Sequence, residues 1–93
     1  MRYILDSIKL ERKDQDARWG EQNHPPYIWL TILGEEVGEA NVALLKADFG
    51  KEVIGNYREE LVQIAAVAVA AIESLDRNEF IPGTWKGVKK DES

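Results

Sequence analysis

Ninety-three residues, 44% hydrophobic and 31% charged, describe one small ordered domain rather than a disordered chain or a multidomain enzyme. Twelve basic against 17 acidic side chains leave a net charge of −5. That balance disfavours gripping a nucleic-acid backbone by counterion release, while a phosphorylated small molecule reached through a metal cation stays open. Cysteine is absent, which excludes disulfide and thiolate chemistry.

The opening stretch, MRYILDSIKLERKDQD, turns charged before a signal-peptide apolar core forms, so a cytoplasmic, soluble protein is expected. Residues 2–18 are rich in helix formers, with Ile4 and Ile8 marking a weak apolar face. WGEQNHPPY then interrupts the pattern, because Gly20, Asn23 and the Pro25–Pro26 pair are loop and helix-start residues. A second helix is expected from about Ile28 to Phe49. Leu30, Leu33, Val37, Ala40 and Leu44 recur at the three-and-four spacing of a buried face, and Gly50 is a C-terminal stop.

Asn56, three residues before Glu59, resembles a capping box that opens a third helix, Tyr57 to about Asp76. That helix is apolar nearly all round through LVQIAAVAVAAI at 61–72, which is too short to cross a membrane. Three helices of one small chain can hardly cover it, so a partner subunit is expected. After Arg77 the chain reads as loop, with Pro82 and Gly83, ending in the polar tail KGVKKDES. No segment alternates like a β-strand, and the expected class is all-α, with a helical domain at 1–77 and a loop and tail at 78–93.

Chemistry concentrates in TILGEEVGEANVALL, residues 31–45, where Glu35, Glu36 and Glu39 crowd an apolar helix. Like charges at this spacing repel by about a few tenths of a kcal/mol per pair, and no Lys or Arg stands three or four residues away to offset them. Glu36 and Glu39 lie one turn apart, roughly 60° around the axis, and Glu60 and Gln63 repeat that spacing on the third helix. Two antiparallel helices presenting such pairs to a common seam place four oxygen ligands around a hard cation. The competing reading is a set of solvated surface glutamates. Against it, Glu36 flanks Leu33 and Ala40, while Glu60 and Gln63 share a face with Ile64 and Val67. Glu59 is accounted for by capping.

EEVGE at 35–39 followed by REELVQ at 58–63 resembles the all-α nucleoside triphosphate pyrophosphohydrolases, the MazG-like superfamily, and the loop WGEQNHPP is similar too. The family's pattern is Glu-Glu-x-x-Glu on one helix and Glu-x-x-Asp on the next, and the similarity spans about residues 15–77. It implies a helical bundle whose four-helix core is completed by oligomerisation, as a homodimer or homotetramer. It implies Mg2+, or Mn2+ in its place, held by Glu36, Glu39 and Glu60 with Gln63 at the fourth position. It also implies hydrolysis of a nucleoside triphosphate to monophosphate and pyrophosphate, with clearance of non-canonical nucleotides as one use.

Gln63 departs from that pattern, leaving three ligand carboxylates and predicting weaker metal binding unless substrate phosphates add charge. Glu35 is a candidate to orient or deprotonate the attacking water, or else a solvated neighbour pointing about 100° away. For substrate, His24 is a loop contact or an exposed turn residue. Trp19 and Trp29 are base-stacking platforms or core filler. Asn41 is a ligand contact or a surface amide. Lys86, with Lys89 and Lys90, covers a triphosphate or merely solubilises the tail.

The alternative function is a catalytically silent nucleotide-binding or oligomerisation module of the same fold. A four-helix iron protein is disfavoured because the sole histidine lies off both motif helices.

Overall fold

A computed structural model describes residues 1–49, 55–80 and 87–89. Three helices, α1 (Arg2–Trp19), α2 (Pro26–Phe49) and α3 (Gly55–Arg77), are followed by two short strands, β1 (Asn78–Phe80) and β2 (Gly87–Lys89). The helical class expected from the pattern holds. The expectation of loop throughout 78–93 does not, since β1 and β2 pair antiparallel with Glu79 opposite Val88. Strands of three residues are too short for alternation to register in a sequence.

Gly20 ends α1 with φ 71°, in the left-handed region that glycine occupies without a Cβ penalty, and its N–H donates to the Asp16 carbonyl at 2.8 Å. Pro26 opens α2, two residues earlier than expected. Proline's fixed φ suits the first helical position, and its missing N–H would have had no partner there. The N–H groups of Ile28 and Trp29 donate to the Pro25 carbonyl. Asn56 falls inside α3, whose first residue is Gly55, so it is not the residue before the helix that the capping box required. The Gly50 stop lies outside the described residues.

α3 is the central helix. α2 packs along it, α1 packs on it less extensively, and no comparable contact joins α1 to α2. The core at the α2–α3 contact is Trp29, Val67 and Ala70, with Ile32, Leu33 and Ala71 packed against it. This corrects the apolar stripe expected to be buried on α2. Ala40 is buried, but Leu30 is 68% exposed, Val37 49% and Leu44 39%. The inward direction is fixed by the largest apolar side chain, Trp29, about 100° around the axis from Leu30. α3 likewise leaves Leu61, Ile72 and Leu75 exposed. No helix among the described residues is long and apolar enough to cross a membrane.

The loop before α2 is tied to the end of α3 by polar contacts. Arg77 donates to the Asn23 Oδ1 and the Gln22 carbonyl, and Asn78 Nδ2 donates to the Asn23 Oδ1 and the Ser74 carbonyl at 2.8 Å each. Asn78 is almost fully buried. Replacing Asn23 with Ala leaves Arg77 its Gln22 and Glu21 partners but takes the acceptor from one N–H of the buried Asn78 amide, so Asn23→Ala is expected to cost about 1–3 kcal/mol, read from the urea unfolding midpoint.

Candidate metal and phosphate site

Glu36, Glu39 and Glu60 each place one carboxylate oxygen so that all lie within 4.8 Å of one another. The i, i+3 spacing on α2 and the antiparallel pairing of α2 with α3 bring them together, as their spacing in the chain suggested. Glu39 is exposed; Glu36 and Glu60 are half-buried, and the Oε2 of each is a buried acceptor with no hydrogen-bond partner among the described residues. Two orphaned carboxylate oxygens beside a third carboxylate are costly alone and become satisfied if a cation lies between them. Burial raises the Glu36 pKa above the ordinary carboxylate value, and the charges of Glu39, Glu60, Glu11 and Glu35 raise it further. Oxygen-only donors of this kind fit a hard divalent ion.

A raised carboxylate pKa has a definite consequence for stability. The folded protein holds the Glu36 proton more tightly than the unfolded chain, so this contribution is fully present below the unfolded carboxylate pKa. It is lost as pH rises through the raised value. Metal-free wild type is therefore expected to match Glu36→Gln in melting temperature at acid pH and to fall below it as pH rises past the carboxylate range. Calorimetry of the pair in a chelator measures the difference.

Glu36 and Gln63 line one end of a cleft of about 570 Å³ between α1 and the α2–α3 pair. Trp29 and Ile32 of α2 and Val67 and Ala70 of α3 form its floor. The opposite wall is polar and comes from α1. There Arg12 donates to Glu73 Oε1 at 2.9 Å, Gln15 Oε1 at 3.1 Å and Asp16 Oδ1 at 3.0 Å, so it links α1 to α3. Gln15 is the one buried residue of α1. This wall went unrecognised in the sequence, because charged residues at helical spacing read as a solvated face. The faint signal is the run Glu11, Gln15 and Arg18, which repeats every three or four residues.

The remaining candidates separate. Trp19 lines the far end of the cleft and is 58% exposed, with the Arg18 guanidinium 4.5 Å from its ring centroid. Trp29 is 6% exposed and belongs to the core, the second of the two roles weighed for it. Its Nε1–H is buried without an acceptor among the described residues. His24 meets Trp29 edge-on, ring centroids 5.1 Å apart at 68°, and borders a different, apolar groove. Asn41 is exposed and does not line the cleft; Glu35 is exposed beside the cluster. Lys86 lies outside the described residues, as does Lys90, and Lys89 belongs to β2.

No protein-family model, no curated protein and no solved structure matches this chain.

Proposed function

We propose that the chain is a Mg2+-dependent nucleoside triphosphate pyrophosphohydrolase of the MazG-like kind, acting as a homodimer or homotetramer. The observation that carries this reading is the convergence of Glu36, Glu39 and Glu60 on one point, two of them with orphaned oxygens, at the end of a cleft of nucleotide size.

Glu36, Glu39 and Glu60 would hold the ion, and the Gln63 carbonyl would complete the side-chain set without adding charge. The ion supplies neutralisation of phosphate charge and an activated water for cleavage of the anhydride that frees pyrophosphate. Glu35, on the exposed side of the cluster, would take the proton from that water. From Glu36 to Trp29 is seven residues, about 10 Å along the helix. That length accommodates a nucleoside reaching from the carboxylates toward Trp19, where a base stacked on the exposed ring would gain about 1–3 kcal/mol.

The silent-module reading is favoured by one residue, Gln63, which removes a charge from the ligand set. Pyrophosphate measured from a panel of canonical and modified triphosphates with Mg2+ or Mn2+ decides between them. Metal-dependent release from at least one nucleotide is the expected result; nucleotide binding without release from any of them would establish the silent module.

A further inference from the structure

Three guanidinium groups line the cleft, those of Arg12, Arg18 and Arg77. Two of them are committed. Arg12 is held by Gln15, Asp16 and Glu73, and Arg77 by Glu21, Gln22 and Asn23, contacts that fasten α1 and the loop before α2 to α3. Arg18 holds no other element, because its two acidic partners, Asp14 at 3.1 Å and Glu11 at 3.4 Å, belong to its own helix. Its side chain is about half exposed, and its guanidinium lies over the Trp19 ring, 4.5 Å from the centroid. Cation–π contacts and ion pairs at such exposed positions are weak, so the group exchanges partners at little cost.

The direction of the side chain matters as much as its looseness. Glu11 stands seven residues before Arg18, about 10 Å along the helix, so the guanidinium is carried back from Trp19 toward the carboxylate end of the cleft. Glu11 faces that end. Its negative charge acts on the Glu36 carboxyl more strongly than does that of Glu35, the neighbour of Glu36 in the chain. Arg18 thus sits between two places. One is the ring on which a base would stack, and the other is the point where Glu36, Glu39 and Glu60 converge.

We propose that Arg18 is the polyphosphate-binding cation of the cleft, and that it leaves the Trp19 ring for the phosphate oxygens when a metal–polyphosphate enters. On the ring, the guanidinium covers a face that a base would use; drawn to the phosphates, it uncovers that face. Binding at the charged end of the ligand is thereby coupled to stacking at its other end. A guanidinium suits this exchange, because it gives parallel N–H donors to two phosphate oxygens, in charge-assisted bonds about twice as strong as neutral ones. The acidic end of the cleft also calls for it, since Glu11, Glu36, Glu39 and Glu60 together repel a polyanion. The inference rests on the reading of the carboxylates as a metal–phosphate centre, and adds to it a residue from a different helix.

Inorganic tripolyphosphate with Mg2+ is the probe, because it carries the charge and no base. Calorimetric titration of the full chain is expected to show binding that Arg18→Gln weakens by at least about tenfold. Lys9→Gln removes an equal charge from an exposed position of α1 that does not line the cleft, and should weaken binding by less than about twofold. Arg18→Lys should restore only part of the loss, since an ammonium is a point charge without the fork. NMR of the same titration reads the displacement. The Arg18 side-chain protons, shifted upfield by the ring in the unliganded protein and assigned by their absence in Arg18→Gln, should move to ordinary positions as tripolyphosphate binds.

Equal losses in Arg18→Gln and Lys9→Gln would reduce the effect to net charge and overturn the inference. So would saturation with tripolyphosphate that leaves the Arg18 signals in place, or no binding of tripolyphosphate at all. Pyrophosphate release from nucleotides is scored separately. Release that Arg18→Gln leaves unchanged keeps the hydrolase and removes Arg18 from it. Displacement of Arg18 by tripolyphosphate, with no release from any nucleotide, keeps Arg18 and leaves the silent module.

Discussion

Glu36→Gln and Glu60→Gln are each expected to lower metal-dependent pyrophosphate release by about a thousandfold, while leaving the helical fold intact. The magnitude follows from the several kcal/mol of charge stabilisation that a bound cation contributes, at about 1.36 kcal/mol per tenfold in rate. Glutamine keeps the shape of the side chain, so the α2–α3 contact and the cleft floor of Trp29, Val67 and Ala70 should be undisturbed. Without metal the Glu36→Gln protein should be no less stable than wild type, since it removes one carboxylate from a crowded set. A purely structural glutamate would show the reverse, lower stability with release unchanged. Steady-state release assays and thermal melts on the same samples read both quantities. Undiminished release by either variant would end the case for the carboxylates as metal ligands.

Gln63→Asp should have the second-largest effect and the opposite sign. It adds a fourth carboxylate one turn from Glu60, so metal-free protein should lose about a few tenths of a kcal/mol to like-charge repulsion. With Mg2+ the added charge should tighten binding by about tenfold. At a Mg2+ concentration equal to the wild-type Kd, the ion stabilises wild type by about 0.4 kcal/mol and the variant by about 1.4 kcal/mol. In a domain of this size that extra 1 kcal/mol is worth about 4–8 °C in melting temperature. Melts over a Mg2+ series measure it. Equal metal-induced shifts in the two proteins would remove Gln63 from the ligand set.

The order of the three helices and the carboxylate cluster were both legible in the chain, for the same reason. Each depends on a local period: three-and-four spacing defines the helices, and i, i+3 spacing defines the pairs at Glu36–Glu39 and Glu60–Gln63. Antiparallel pairing of the two motif helices then brings Glu36 and Glu60 together. What sequence could not supply was rotation and covering. The stripe containing Leu30, Val37 and Leu44 has the period of a buried face, yet in the single chain Trp29 takes the inward position. Periodicity identifies an apolar face without saying whether its own chain or another covers it. Arg12 and Gln15 were missed because a polar residue's burial depends on partners far along the chain, here Glu73. The hairpin escaped because Asn78–Phe80 holds only three residues of strand.

The attachment of α1 gives the nucleotide-sized cleft a particular mechanical character. Its middle is fastened to the central helix through Arg12 and Glu73, and nearer its start through Arg58 donating to the Ser7 hydroxyl at 3.3 Å. Both are guanidinium contacts; the Glu73 carboxylate is open to water, while the Arg12 side chain is only 14% exposed and keeps Gln15 and Asp16 as further partners. An attachment made through charged side chains is screened by dissolved ions, so the hold of α1 on the central helix is expected to loosen as salt is added.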